Sequence, residues 1–245
     1  MAATSIALTK ISNNSGTSPV TSSNFTTLAG DFVSVWVAVA EFGTGNPTVS
    51  GVTLNGSTAF TAGTHLQNDS GDSHLYHFYL HNVAGGSTTN VVISFSAGAT
   101  LLGWARVIRG APTSGAVETN AIDSQTGTAA ASGNASSAAT DSLFESMCMS
   151  EASGTVSAGS GWSLDDSHDG STGANFSGGV EHKQNTGSTG PNNGTFTVPS
   201  GGWISGIVVI KSAGSDVAIT PGLGTKTMTG RSPSLNFSIN MPDQP

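Results

Sequence analysis

Charge is what this chain has least of. Only 9% of its 245 residues are charged, seven Lys plus Arg against fifteen Asp plus Glu, for a formal net charge of −8. Ordinary soluble domains carry about a quarter charged residues; here Ser, Thr, Asn and Gly stand in their place. So few cations cannot neutralise a run of phosphates, which argues against nucleic-acid binding. Cysteine is nearly absent, and the single one excludes an intramolecular disulfide. No apolar run approaches the roughly 18–20 residues of a membrane-spanning helix. The opening MAATSIALTK has neither a basic leader region nor a long apolar stretch, so no secretory signal is read there. Helix signals are missing too: no apolar stripe at 3.6-residue spacing is sustained, and Gly or Pro interrupts nearly every window. The 33 glycines are aperiodic, which excludes collagen. Apolar clusters of strand length recur throughout, which argues against disorder. A neutral polar surface of this kind suits an extracellular or particle-bound protein that packs against copies of itself.

Strand patterns fill the chain. In DFVSVWVAVAEF, Val33, Val35, Val37 and Val39 share one face and Phe32, Trp36, Ala38 and Phe42 the other. Both faces are apolar, which predicts a central strand covered on both sides. Asn55-Gly56 inside GVTLNGSTAF predicts a tight turn, since both residues tolerate the positive φ of a type I′ hairpin. HLYHFYLHNV follows as a strand with Tyr76, Phe78 and Leu80 on one face, and NVVISFS is expected to return as its partner. LLGWARVIRG places Arg106 on the same face as Leu102, Trp104 and Ile108. SQTGTAAASGNASSAAT reads as an extended, poorly packed strand or a surface loop, SLFESMCMS as a strand, and TFTVPSGGWISGIVVIKS as a hairpin. About ten strands with turn signals every 8–12 residues are the pattern of a sandwich or jelly roll. GDFVSVWVAVAE faintly echoes TDSLFESMCMSE, and GWARVI echoes GWISGIVVI, but the spacing between the echoes differs, so no repeat array is read; paired strands in facing halves of one sandwich would give the same echo.

Beyond Ala213 the chain is punctuated by Pro and Gly, yet Leu235, Phe237, Ile239 and Met241 alternate with polar residues. A free tail would not keep such a face in water. The expectation is a sandwich over 1–213 and an extended arm over 214–245. The arm docks, through those four residues, on a neighbour or back on its own sandwich, a neighbour being favoured.

Reactive constellations are weak. His74, His77 and His81 sit close in sequence, but on a strand His74 and His77 point apart and His77 and His81 stand roughly 13 Å apart at 3.3 Å per residue, too far for one metal. His65 or His182 could add a ligand only across strands, so the histidines read as an ordinary polar strand face. Asp165, Asp166 and Asp169 in LDDSHDGSTG are acids on a turning loop, without the spacing of an EF-hand. No G-x-S-x-G elbow occurs, no carboxylate pair can be placed for glycoside hydrolysis, and PGLGTKT lacks the junction of a phosphate loop. Cys148, between Met147 and Met149, reads as a buried small hydrophobe. Trp36 and Trp104 read as core. Trp162 and Trp203 follow glycines at strand starts and are the candidates for stacking on a sugar. The sequons at Asn24, Asn55, Asn175, Asn193 and Asn236 are what an Asn-, Ser- and Thr-rich chain makes by chance. Neither catalysis nor a cofactor or metal is expected.

The cadence gDFVSVWVAVAEFG…VSGVTLNGSTAFT…HLYHFYLHNVAGGSTTNVVISFS…LLGWARVIRGA, over roughly residues 25–213, resembles a β-sandwich module of tailed-bacteriophage structural proteins and some bacterial surface proteins. The closing ITPGLGTKTMTG…PSLNFSIN resembles a short C-terminal motif of phage virion proteins. The resemblance implies an all-β, two-sheet jelly-roll-like sandwich and a structural role in the virion. The leading expectation is a capsid decoration (cement) protein on the particle surface, binding the major capsid protein and sister copies, with a trimer as the expected homo-oligomer. The alternative is a tail-fibre or baseplate adhesin that binds a host-surface glycan through Trp162 and Trp203. No functional residues carry over from the resemblance.

Overall fold

A computed structural model describes residues 2–41, 45–67, 72–172, 174–185, 187 and 190–214, all within the compact unit Met1–Ser215. The proposed docking residues Leu235, Phe237, Ile239 and Met241, and Phe42 of the first long strand, lie outside the described residues. The described chain is all-β: β1 (Thr4–Asn13), β2 (Val20–Thr21), β3 (Phe25–Thr27), β4 (Asp31–Ala40), β5 (Val49–Leu54), β6 (Thr58–Ala59), β7 (Thr61–Gln67), β8 (Ser73–Val83), β9 (Gly86–Thr89), β10 (Val91–Phe95), β11 (Thr100–Arg109), β12 (Val117–Ser136), β13 (Leu143–Ser150), β14 (Ser157–Ala158), β15 (Ser163–His168), β16 (Ser177–Gln184) and β17 (Pro191–Ile210).

The strands form two large antiparallel sheets, ordered β1-β11-β4-β8-β7 and β12-β17-β13-β16-β15. A smaller sheet runs β2-β10-β5-β6, and β3 pairs with β9. The sandwich expected from the sequence is present, with more sheets than the two anticipated. The double-faced reading of β4 explains why. Val33, Val35, Val37 and Val39 pack with Val52, Val91, Ile93 and Phe95 of the small sheet. On the other face Phe32, Trp36 and Ala38 pack with Leu143, Met147, Val180, Ile204 and Val208 of the second large sheet. Each face of a twofold-apolar strand demands its own cover, so the first large sheet lies between two others.

Local chemistry sets the connections. Asn55 and Gly56 have φ of 52° and 69°, and the Ser57 N–H closes the turn on the Leu54 carbonyl at 3.1 Å, as the sequence predicted. β10 does not return beside β8. It pairs with β2 and β5 in the small sheet, because Val91, Ile93 and Phe95 form one apolar face that must lie over β4 rather than extend its sheet.

TFTVPSGGWISGIVVI is likewise not a hairpin but one strand, β17, paired along its length with β12. Both bend where Gly127 opposes Gly201, and the register slips between Gly127 and Ala129. A Cβ on Gly202 would meet the Glu151 carboxylate, which lies beside the bend just past the end of β13. Past the bend, the far ends of β12 and β17 lie over the outer face of the second large sheet. There Phe196 and Val198 pack with Cys148, Val156 and Trp203. A Cβ on Gly194 would collide with the Ser146 hydroxyl, so the two layers touch backbone to side chain.

Candidate functional site

The chemistry-bearing side chains converge between the two large sheets. Arg106, on the apolar inner face of β11, is 1% exposed. Its Nε donates to Glu145 Oε1 at 2.7 Å, its Nη2 to Asp165 Oδ2 at 2.7 Å and its Nη1 to Ser5 Oγ at 2.8 Å. Desolvation opposes the guanidinium charge, but Glu145 and Asp165 overcome it and hold the pKa above its ordinary value. A guanidinium fork is the group that can satisfy several acceptors at once in a dry interior.

The network continues on both sides. Ser34 Oγ donates to Glu145 Oε2 at 2.5 Å and lies 3.0 Å from His77 Nε2. Since the serine proton goes to the carboxylate, His77 Nε2–H donates to Ser34 and Nδ1 is left as a bare acceptor, buried without a partner. Burial pushes the His77 pKa down to about 3, so the ring is neutral. At the outer end, Asp165 lies 2.7 Å from His182 Nδ1. Burial works against the Asp165 charge, but the His182 and Arg106 contacts hold its pKa below the ordinary value. Next to it, Asp166 accepts from Trp104 Nε1 at 2.9 Å and pairs with Lys10 at 3.1 Å. A bulge between Leu164 and Asp166 in β15 turns these successive acids toward the same side.

This is a serine, a histidine and an acid in contact, but in the wrong order for catalysis. A nucleophilic serine must give its proton to the histidine while the acid orients that histidine. Here the serine gives its proton to the acid and receives one from the histidine, and Ser34, His77 and Glu145 are 0%, 1% and 0% exposed. What the arrangement does is tie two sheets together.

The other sequence candidates are placed as follows. The register His65↔Tyr76 and Gln67↔His74 brings His65 Nε2 to 2.9 Å from His74 Nδ1, while His74 Nε2 donates to Asn46 Oδ1 at 2.7 Å. His74 and His77 do point to opposite sides of β8, but both are buried rather than on a polar outer face. Among the described residues no three His, Cys, Asp or Glu side chains are grouped to hold a metal. Asp165 and Asp166 are strand residues in ion pairs, and Asp169 caps its own loop by accepting from Ser171. Cys148 is buried and its thiol pKa is raised, chiefly by that burial. Trp203 is 3% exposed in the outer core, which corrects its reading as a sugar platform: it has no free ring face. Trp162 is half-buried, packed edge-on against Phe144. An open cleft of about 200 Å³ at one end of the first sheets is lined by Asn55, Leu80, His81, Asn82 and Thr89 and holds no acid.

Sequence reasoning missed Ser34 and Glu145. A signal was available: Arg106 on an apolar face needs a buried acid, and Glu145 is the one charge in LFESMCM. It missed Glu181 as well. That side chain is fully buried on the outer face of β16, where its oxygens accept from the N–H groups of Gly159 and Thr195. Burial raises its pKa to about 8.

Comparison with protein families, with curated proteins and with solved structures finds no match for this chain.

Proposed function

We propose that this chain is a non-enzymatic structural protein of a tailed-bacteriophage virion, a decoration protein that sits on the head and binds capsid subunits and sister copies. One observation carries the reading: the serine, histidine and acid that the structure brings together are buried, where Ser34, His77 and Glu145 join Arg106 between two sheets. What remains for the surface is the neutral Ser-, Thr-, Asn- and Gly-rich composition of a chain with 9% charged residues. Such a surface loses little on desolvation and suits lateral packing against repeated neighbours. The cadence shared with phage sandwich modules supports the same reading, as does the all-β stack of antiparallel sheets. The alternating face of Leu235, Phe237, Ile239 and Met241 would add as a strand to a neighbour and make attachment multivalent.

Immunogold imaging of intact particles tests the location. Label over the head is the expected result; label confined to the tail tip would replace the decoration role by host adhesion, and unlabelled particles would overturn a virion role. Deletion of residues 216–245 tests the arm, with a fall in particle occupancy expected. Wild-type occupancy of the truncated protein would remove the arm from the mechanism.

A further inference from the structure

We infer that the chain is two sandwiches of one topology in tandem, each using its large sheet as an interaction surface for the other, with the symmetry of a homodimer interface. The first large sheet takes, in chain order, β1, β4, β7, β8 and β11; the second takes β12, β13, β15, β16 and β17. In both, the spatial order is first, fifth, second, fourth, third. The small layers correspond as well. β2-β10-β5 in the first half is matched in the second by the far end of β12, the far end of β17 and β14, which pairs Ser157↔Thr197 and Ala158↔Phe196. The strand that follows β1 and the strand that precedes β11 are separate pieces; in the second half each is continuous with its neighbour through the glycine bend.

The two halves also meet as a twofold requires. Lys10 of β1 reaches β15, where it pairs with Asp166 and donates to the Ser167 carbonyl at 2.9 Å. The equivalents of β1 and β15 are β12 and β7, and these two also pack together. Contact of strand i with strand j, answered by j with i, is the mark of an isologous interface.

The connections obey the same operation. Arg109 ends β11 and Val117 begins β12, seven residues apart in the link 110–116. The segment after β17 runs beside that link: Lys211 N–H donates to the Ala116 carbonyl at 3.0 Å and Ala213 N–H to the Gly110 carbonyl at 2.7 Å. With Thr4 paired to Arg109 and Val117 to Ile210, the end of the second half arrives beside the start of the first. A twofold makes the gap from Ile210 to Thr4 equal to the gap from Arg109 to Val117.

The sequence echoes are not the source of this symmetry. They fall on equivalent strands, β4 with β13 and β11 with β17, but with the faces inverted. Trp104, facing the other half, is set beside Trp203, which faces outward. A one-residue slip turns every side chain over, so the repeat is one of topology and not of residues.

The order of the two halves along the chain should therefore be dispensable. A circular permutant tests this, opened between Thr113 and Ser114, with Gly214 joined to Ala2 through one added glycine and residues 215–245 moved to the new C-terminus. That joint again puts seven residues between Ile210 and Thr4. A second permutant carries the same joint but is opened between Asn55 and Gly56, inside the first half, with residues 215–245 likewise moved to its new C-terminus. The expected result is that the first keeps the near-ultraviolet circular dichroism and thermal midpoint of the parent, while the second loses stability. Failure of the first to fold, or equal midpoints for the two permutants, would overturn the inference.

Discussion

The first half of the molecule closes its sandwich with hydrocarbon, and the second closes the same topology with small residues and hydrogen bonds. Between the small sheet and β4, the first half buries Val33, Val35, Val37, Val39, Val91, Ile93 and Phe95, with no carboxylate in that cluster. The corresponding space in the second half holds Ala130, Ala135, Cys148, Phe196 and Val198, and also the buried Glu181 carboxyl and the Ser132 hydroxyl that accepts from Gly194 N–H at 2.9 Å. The difference teaches that strand order does not dictate how a layer is held. Where the covering strands are rich in Ala, Ser and Gly, as in TGTAAASGNAS, burial alone is too small and backbone N–H groups are engaged by side chains instead.

The junction between the halves is where this comparison breaks first. Arg106→Ala leaves Glu145 buried without its cation, and removal of one partner of a buried pair costs about 3–5 kcal/mol. Urea titration of the variant should show that loss, and Arg106→Ala with Glu145→Gln should recover part of it. A loss below about 1 kcal/mol would mean the pair does not hold the sheets.

Packing at the same junction gives the next effect. A Cβ on Gly206 would stand 2.7 Å from the ring of Trp36, between the halves. Gly206→Ala should cost about 1–3 kcal/mol through overpacking, read as a lowered denaturation midpoint at unchanged slope. Gly51→Ala, where a Cβ meets nothing within 4 Å, is the control in the first half's small sheet.

His77 and Glu181, on equivalent strands of the two halves, answer pH with opposite sign. His77 on β8 has its pKa lowered to about 3 from 6.5. The unfolded chain binds the proton more readily, so this contribution is complete above pH 6.5 and is lost as pH falls toward 3. Glu181 on the equivalent strand β16 has its pKa raised to about 8 from 4.5. There the folded chain binds the proton more readily, so the contribution is complete below pH 4.5 and is lost as pH rises through 8. The thermal midpoint should therefore be highest between about pH 4.5 and 6.5 and should fall on either side. Glu181→Gln should flatten the alkaline side by a few degrees and leave the acid side in place; an unchanged alkaline slope would exclude Glu181 as its source. The smallest effect belongs to Lys10, whose half-exposed pair with Asp166 closes only one of the two seams between the halves. Lys10→Ala should cost about 0–1 kcal/mol, and less as salt is added.

Much of this architecture was legible residue by residue. The two faces of β4, the turn at Asn55-Gly56, the burial of Cys148 and the company of Arg106 on β11 all follow from period-two alternation and turn chemistry, which are local properties of the chain. The candidate site was legible only in halves. Arg106 could be seen as a cation on an apolar face, but its acidic acceptors lie 39 and 59 residues further on. No local pattern says which acid crosses to meet it. The glycan reading of Trp203 failed for the same reason: a tryptophan after two glycines looks like a loop tip until the bend folds another layer over it.

By itself, then, the sequence determined that the chain is all-β, that its longest apolar strand must be covered on both sides, and that its surface carries little charge. Those properties depend on side chains and their nearest neighbours along the backbone. The tertiary structure alone decided that β10 leaves the sheet of β8, that β12 and β17 each serve two layers, and that two sheets of identical strand order meet face to face around one buried guanidinium. Those are decisions about which distant faces cover one another. They are settled by total burial and by the pairing of buried charge, quantities that exist only once the whole chain has closed.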